Sequence, residues 1–369
     1  MNLTLVAVVG VALFFDFTNG FHDAANAIAT SVSTRALSPR IAIGFAAIFN
    51  FAGAFVSIKV ATTVGKDIVD PHGVTLKILL AGVVGAIAWN LTTWLLGLPT
   101  SSSHALIGGL MGSAVAANGW DIVNGHGLYE KVLLPSLASP LLGVVIAALI
   151  VVVIMWVFRH RSYGRTTTGF RRLQVVSAGF VALTHGTNDA QKTMGIIAAA
   201  LVAAHPDREF HVPTWVIATA AVAMACGTYA GGWRIIRTLG QRVAHLEPHQ
   251  GFAAETATAG ILYTTAHFGF PVSTTHTISG SVLGAGAARR FSAVRWGIAG
   301  DILLAWLFTI PGAGLVAAGM QQVTRIPGGE AVVLALAAAM AIGAFAAASG
   351  WFRRRETSRG AAALVAPPA

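Results

Sequence analysis

The chain has 369 residues, of which 55% are hydrophobic and only 10% charged, with a mean hydropathy of +0.70. Those values exclude an ordinary soluble domain, in which about a quarter of residues are charged, and describe a polytopic membrane protein. The net charge of +10 would suit nucleic acid, but the basic residues sit in short segments between apolar runs, where they set orientation, so no nucleic-acid partner is expected. A single cysteine, Cys226, excludes an internal disulfide and a cysteine-rich metal site.

Apolar runs of about 20 residues, each able to cross roughly 30 Å of hydrocarbon, recur along the chain. They predict spans at 3–34, 41–60, 75–97, 99–117, 132–158, 173–204, 213–232, 249–269, 271–288, 296–322 and 331–352. The first and the sixth are expected to be interrupted where polar residues enter. The first run lacks a basic flank and a cleavage pattern, so it reads as a span and not as a signal peptide. Beyond Trp351 the tail is basic, then rich in Ala and Pro, the composition of a disordered stub.

With the N-terminus outside and one crossing per run, seventeen of the 24 Lys and Arg fall inside, six outside, and Lys192 within a span. The asymmetry puts the C-terminus inside, and the expected location is a plasma membrane of the bacterial inner-membrane type. It divides the chain into a transmembrane unit 1–158, a basic cytoplasmic linker 159–172, a second transmembrane unit 173–352 and a tail 353–369.

The two units repeat each other. FTNGFHDAANA (17–27) and LTHGTNDAQK (183–192) align Asp23 with Asp189 at an offset of 166, and LPTSSSHALIGGLMG (98–112) aligns with FPVSTTHTISGSVLG (270–284) at 172. Pro140 and Gly143 match Pro311 and Gly314 at 171. Five crossings per unit is an odd number, which turns the second copy upside down; 99–117 and 271–288 are counted as full crossings on the charge asymmetry, with half-helices returning within a hairpin as the alternative. The expected fold is therefore an all-α polytopic membrane protein of two inverted repeats, with interrupted helices and intramembrane half-helices, and with its site near the midplane.

Asp16, Asn19, Asp23 and Asn26 are spaced to share one helix face. Gly20 is expected to let the helix unwind there and free carbonyls to ligate a cation. Carboxylate, amide and carbonyl oxygens suit a small cation or a proton. His185, Asn188, Asp189 and Lys192 form a similar row in the second copy, with Ala182 in place of Asp16. The bland alternative for these groups is hydrogen bonding between buried helices. Thr100, Ser101, Ser102 and Ser103 after Pro99, and Ser273, Thr274 and Thr275 after Pro271, read as helix starts with Pro in the first turn and hydroxyls able to cap. Two such starts aimed at one point would offer free N–H groups, helix-dipole charge and hydroxyls to a tetrahedral oxyanion such as phosphate. Close helix packing by Ser and Thr is the competing reading. His104 and His276 serve as proton relays, substrate contacts or parts of a structural capping network. Lys192 pairs with Asp189 or faces the anion. Glu255 and Asp301 are acids within spans but have no counterpart at the repeat offset, so a buried pairing or a membrane-end position is the expectation for them.

GFHDAANA, GTNDAQK and the paired P-x-S-x-x-H motifs resemble the inorganic phosphate transporter family of low-affinity phosphate permeases, over about residues 10–323. His22 stands in the first copy where the second has Asn188. The resemblance implies secondary symport of phosphate with a proton or sodium, with a divalent metal accompanying phosphate in some members. It implies phosphate contacts from Thr100 to Ser103, Ser273 to Thr275, Asp23, Asp189 and Lys192, and a coupling-ion site from Asp23, Asn26, Asn19, Asn188 and Asp189. Asp16, His22, His104, His276 and Glu255 are secondary candidates. No cofactor or resident metal is expected, and a homodimer is the assembly such proteins often form. A sulfate permease of the same fold is the runner-up. An anion channel and an intramembrane hydrolase built on Ser103-His104 or His22-Asp23 are weaker rivals, since no nucleophile elbow is present and adjacent residues make a poor nucleophile-base pair.

Overall fold

A computed structural model describes residues 3–69, 73–232, 235, 236 and 238–364, without the side chains of 241, 242 and 347–364. Arg234, Arg237, the Arg242 side chain and the side chains of the basic tail 353–369 therefore lie outside the described residues. Twelve helices of eight residues or more are described: α1 Leu3–Ser33, α2 Pro39–Gly53, α3 Lys59–Lys66, α4 Leu76–Leu96, α5 Ser102–Asn118, α6 Leu134–Val157, α7 Tyr163–Ala204, α8 Thr214–Ala230, α9 Pro248–Phe268, α10 Thr274–Ala287, α11 Trp296–Thr324 and α12 Gly329–Leu364. Five of the described helices are long and apolar enough to cross a membrane, and α2 and α8 are shorter apolar helices. The chain is a multi-pass membrane protein.

Helix pairing follows the repeat. In the first unit α4 packs on α5 and α1 on α4; in the second α9 packs on α10 and α7 on α9. Across the units α1 packs on α8 as α7 does on α2, and α5 on α11 as α10 does on α6. Glycines at matched positions make these crossings close. A Cβ on Gly20 would meet the Met224 carbonyl oxygen at 2.4 Å, and one on Gly186 the Asn50 oxygen at 2.2 Å. Gly108 would likewise meet Ile310 O at 2.4 Å, and Gly280 would meet Pro140 O at 2.3 Å. Small residues are what let backbones approach this closely in a bilayer, where packing replaces the hydrophobic effect between helices. Each unit thus completes its helix contacts with elements of the other.

Four expectations are corrected here. α1 and α7 run unbroken through both motifs, with 31 and 42 residues. Gly20 and Gly186 serve close helix packing, not unwinding, and no carbonyl is freed at either. The span expected at 41–60 ends at Gly53, and α3 begins separately at Lys59. Most of the linker 159–172 is the first exposed turns of α7, which starts at Tyr163. Finally, 99–117 and 271–288 are not full crossings of an inverted pair. Such crossings would start on opposite faces, roughly 30 Å apart. Instead the two starts touch: Ser103 Oγ donates to Val272 O at 3.3 Å. Asn118, at the end of α5, donates to Gly73 O just before α4 at 2.9 Å, so α4 and α5 form a hairpin that returns to its own side. A returning hairpin and two crossings have the same parity, so this correction does not alter the expectation for the flanking helices.

Candidate functional site

The site forms where α1 and α7 pass the starts of α5 and α10. Ser101 and Ser273 cap those starts, their hydroxyl oxygens accepting the backbone N–H of His104 at 3.1 Å and of His276 at 3.2 Å. Pro99 and Pro271 lie two residues before the caps and so outside the first turn, a correction to the expected placement; Pro stiffens the approach and ends any helix arriving from the preceding segment. Beyond the caps, the first N–H groups of each helix have no acceptor within it. Ser102, Ser103, Thr274 and Thr275 stand there, all but sealed from solvent.

The two motif helices each reach both starts. On α1, Asp23 accepts from Ser102 Oγ at 2.6 Å and from Thr275 Oγ1 at 3.3 Å, and Asn26 donates to Thr274 at 3.1 Å and Thr275 at 2.9 Å. On α7, Asp189 accepts from Thr274 Oγ1 at 3.2 Å and pairs with Lys192, whose ammonium also binds Ser103 Oγ and, at 3.2 Å, Val272 O. Asn26 and Lys192 occupy the same slot of the repeat, 166 residues apart. Each crosses to the helix start of the opposite unit, one bringing a neutral amide and the other a cation.

Around this core lies a second ring. His22 Nδ1 is 2.7 Å from Asp23 Oδ1, and its Nε2 faces the Thr93 and Thr100 hydroxyls at 3.4 and 3.5 Å. His185 Nε2 lies 3.2 Å from Asp189 Oδ2 without a well-directed hydrogen bond, while its Nδ1 meets Asn50 Oδ1 at 3.1 Å. Ligand atoms of Asp23, His185 and Asp189 lie within 4.8 Å of one another, a fully buried trio able to hold a cation. Asn19 and Asn188 are buried with both polar atoms unpartnered, as are the two carboxylate oxygens of Asp16.

Not all secondary candidates join the cluster. His104 and His276 do not cap; their rings meet edge to face at 4.6 Å, His104 binds Ser136 at 2.8 Å and His276 stacks on Trp306. Glu255 is buried elsewhere, accepting from Thr30 at 2.6 Å, Gln174 at 3.2 Å and Ser177. It holds α1, α7 and α9 together. Asp301 is exposed near the start of α11. Asn50 and Thr193, the latter buried with its hydroxyl unpartnered, are additions. His185 was legible as a member of the second polar row, one turn before Asp189; Asn50 carries no motif and is found only because α2 packs on α7.

The matches to known proteins decide the family. The model of the phosphate transporter family, PHO4, covers residues 19–317. This chain belongs to that family. A "Probable low-affinity inorganic phosphate transporter" of Rhizobium meliloti is 50% identical over 316 residues, spanning 85% of this chain and 94% of that protein. Its counterpart in Bacillus subtilis is 46% identical over 314 residues, 84% of this chain and 93% of that one. Among solved structures, "The sodium-dependent phosphate transporter" superposes with a TM-score of 0.78 at 22% identity, covering 87% of this chain and 99% of its own, which supports the fold. Family membership sets aside the hydrolase reading, and nothing at Ser103-His104 resembles a nucleophile with its base: the Ser103 hydroxyl is turned to Lys192 and Val272.

Proposed function

We propose that this member of the phosphate transporter family imports inorganic phosphate by symport with a cation, a proton or sodium, from the outside of a bacterial plasma membrane. The observation that carries the reading is the meeting of two capped helix starts around Lys192. Free N–H groups at both starts, the Ser102, Ser103, Thr274 and Thr275 hydroxyls and one ammonium form a cage of donors, which suits a tetrahedral oxyanion. Ser101, Thr100 and Ser273 shape it, by capping or through Thr93. In this conformation Ser102, Thr274 and Thr275 donate to Asp23 and Asp189, and Lys192 is bonded to Ser103 and Asp189.

Charge supplies the case for symport. Asp23 and Asp189 set two carboxylates against the single ammonium of Lys192, all buried, with the Asp16 acid buried on the same helix as Asp23. An incoming phosphate adds to a surplus that is already negative, and buried like charges repel strongly when water is excluded. A cation must enter with the anion. Asp23, Asn26, Asn19, Asn188 and Asp189 are its proposed ligands, and a divalent metal travelling with phosphate would fit the Asp23-His185-Asp189 trio. Asp23 or Asp189 also reads the substrate's own proton: phosphate at neutral pH keeps a hydroxyl able to donate to a carboxylate, whereas sulfate presents only acceptors. Inverted repeats, an outside N-terminus, an inside C-terminus and a homodimer complete the proposal.

The test is radiolabelled phosphate uptake into proteoliposomes under a proton gradient, a sodium gradient or neither, with Asp23→Asn and Asp189→Asn alongside. Accumulation driven by one gradient and lost in both variants supports the reading and names the ion. Uptake of sulfate in place of phosphate would move the substrate, and conduction without any gradient dependence would return the channel reading.

A further inference from the structure

We infer that the basic turn joining α6 to α7 is a binding site for an anionic phospholipid, its headgroup and acyl chain held by adjoining parts of one surface. The inference depends neither on the transport reading nor on which face of the membrane this end occupies. The segment 159–172 carries Arg159, His160, Arg161, Arg165, Arg171 and Arg172, all exposed, and from Val132 to Asn188 the chain has no acid. Among the described residues none of the five guanidiniums meets a carboxylate. Arg159 donates to His160 at 2.9 Å and lies 5.5 Å from the centre of the Trp156 ring. At the start of α9, Glu247 is taken by Arg289 and stands 3.7 Å from His249. Like charges packed this densely repel one another, and a bound anion relieves the repulsion.

What surrounds the charge selects a lipid over a soluble anion. α6 is apolar enough to cross a membrane, and Val152, Val153 and Trp156 near its end are exposed, as residues facing lipid are. α7 takes up the same pattern past the basic turns. Leu173, Val176 and Phe180 are exposed at i, i+3 and i+7, a single stripe of the helix. Arg172 lies four residues before Val176, and Arg165 seven before Arg172, so both extend that stripe. The exposed side of α7 therefore changes from cationic to apolar between Arg172 and Leu173, the profile of a headgroup beside its acyl chain. Exposed Trp156 and Tyr163 flank the turn, and such amphipathic rings favour the interface of a bilayer. A soluble phosphate would use the guanidiniums and leave the stripe uncovered. A zwitterionic lipid would cover the stripe but bring its own ammonium towards the arginines.

The turn is also fixed in place. Phe170, the residue before Arg171, is buried against Phe158 at 5.4 Å and against Phe252 of α9 at 5.5 Å. The backbone that carries Arg171 and Arg172 is thus set before any ligand arrives, which lowers the ordering cost of binding. Guanidinium suits the ligand, because its planar fork pairs with two oxygens of one phosphate.

Native mass spectrometry of the full-length protein in detergent tests this, with phosphatidylglycerol, phosphatidylcholine or glycerol phosphate added. One variant combines Arg165→Gln, Arg171→Gln and Arg172→Gln; a control of equal charge combines Lys59→Gln, Lys66→Gln and Arg208→Gln, all exposed elsewhere. A juxtamembrane Arg strengthens binding to an anionic surface about fivefold, so the first variant should hold phosphatidylglycerol on the order of 100-fold more weakly. The control should bind it as wild type does, and wild type should hold phosphatidylcholine far more weakly. Val176→Ala with Phe180→Ala should also weaken phosphatidylglycerol, by removing the stripe while keeping every charge. Every one of these substitutions is at an exposed position, and an unchanged melting temperature verifies the fold. Phosphatidylglycerol held equally by wild type and the arginine variant overturns the site, as does an equal loss in the control or equal retention of phosphatidylcholine. Glycerol phosphate bound as tightly as phosphatidylglycerol, with no effect of the stripe variant, would show a patch for soluble anions and overturn the lipid.

Discussion

Gly280→Ala is the sharpest probe of how the fold sets the cage. The new Cβ would lie 2.3 Å from Pro140 O, 2.8 Å from Pro140 Cα and 2.9 Å from its carbonyl carbon, all backbone atoms of a packed helix. Reaching ordinary contact requires α10 and α6 to part by about 1 Å, and overpacking of this kind costs ~1–3 kcal/mol. Ala regains up to ~1 kcal/mol of helix propensity over Gly. Because both sides of the contact are backbone, the upper end applies, and a net loss of about 2 kcal/mol is expected. Thr274 and Thr275 stand less than two turns upstream on the same helix, so the displacement reaches the cage. Misplacement of about 1 Å at a positioned site can cost on the order of 100-fold in rate. Gly108→Ala, 2.4 Å from Ile310 O in the other unit, should behave alike, whereas Gly260→Ala has no neighbour within 4 Å and should be neutral or stabilising. Thermal melting in detergent and initial rates of phosphate uptake read both effects. If Gly280→Ala melts and transports like Gly260→Ala, the close crossing does not hold the cage and the reasoning fails.

Other substitutions address the site itself. Lys192→Met strands Asp189 without its partner and should destabilise the protein by about 3–5 kcal/mol, and a double Asp189→Asn, Lys192→Met variant should recover the melting temperature without recovering phosphate uptake. Asn26→Ala removes the donor to Thr274 and Thr275; a loss of about 1–3 kcal/mol is expected, read as weaker phosphate affinity, and wild-type affinity would show that the amide merely fills space. Asn at both position 23 and position 189 should narrow the preference for phosphate over sulfate in competition assays, and an unchanged ratio refutes the proton-reading role. Asn118→Cys and Arg290→Cys, both at exposed positions, should be modified from outside and inside respectively in a Cys226→Ala background; modification of position 118 from the inside alone would invert the topology.

The sequence was legible where chemistry departs from its surroundings. Asp23, Asp189 and the hydroxyl runs stand out because a bilayer makes each polar group expensive, and their recurrence at matched offsets exposed the repeat. What sequence could not distinguish was two uses of one residue type. Gly20 in a polar stretch reads as a point of unwinding, because glycine's local freedom and its lack of a side chain look the same in one dimension; the 2.4 Å approach to Met224 shows which property is used. The break between α2 and α3 falls within Ala54 to Ile58, a stretch apolar enough to pass as continuous span. The half-helices α5 and α10 looked like crossings because parity is blind to a hairpin. Asn50 was invisible since its meeting with His185 depends on one unit packing into the other.

That interleaving explains why a nearly symmetrical scaffold can do directional work. The repeat fixes matched positions: Asp23 and Asp189 face the helix starts, and Asn26 and Lys192 cross to the opposite unit. The chemistry placed in those positions is unequal. One unit contributes the ammonium of Lys192, and the other contributes Asp16 and His22. Glu255, with Val83 at the matching position, adds a third inequality by tying α1, α7 and α9 through hydrogen bonds at one level only. If the two units moved as mirror images, opening to either face would cost the same. In the proposed symport, a polar latch at one level alone would make the two openings energetically distinct, a difference that a bound cation and anion together could offset. On the proposed symport, symmetry would supply two accessible states, and the broken symmetry at positions 16, 22, 26 and 255 would tie the passage between them to what is bound.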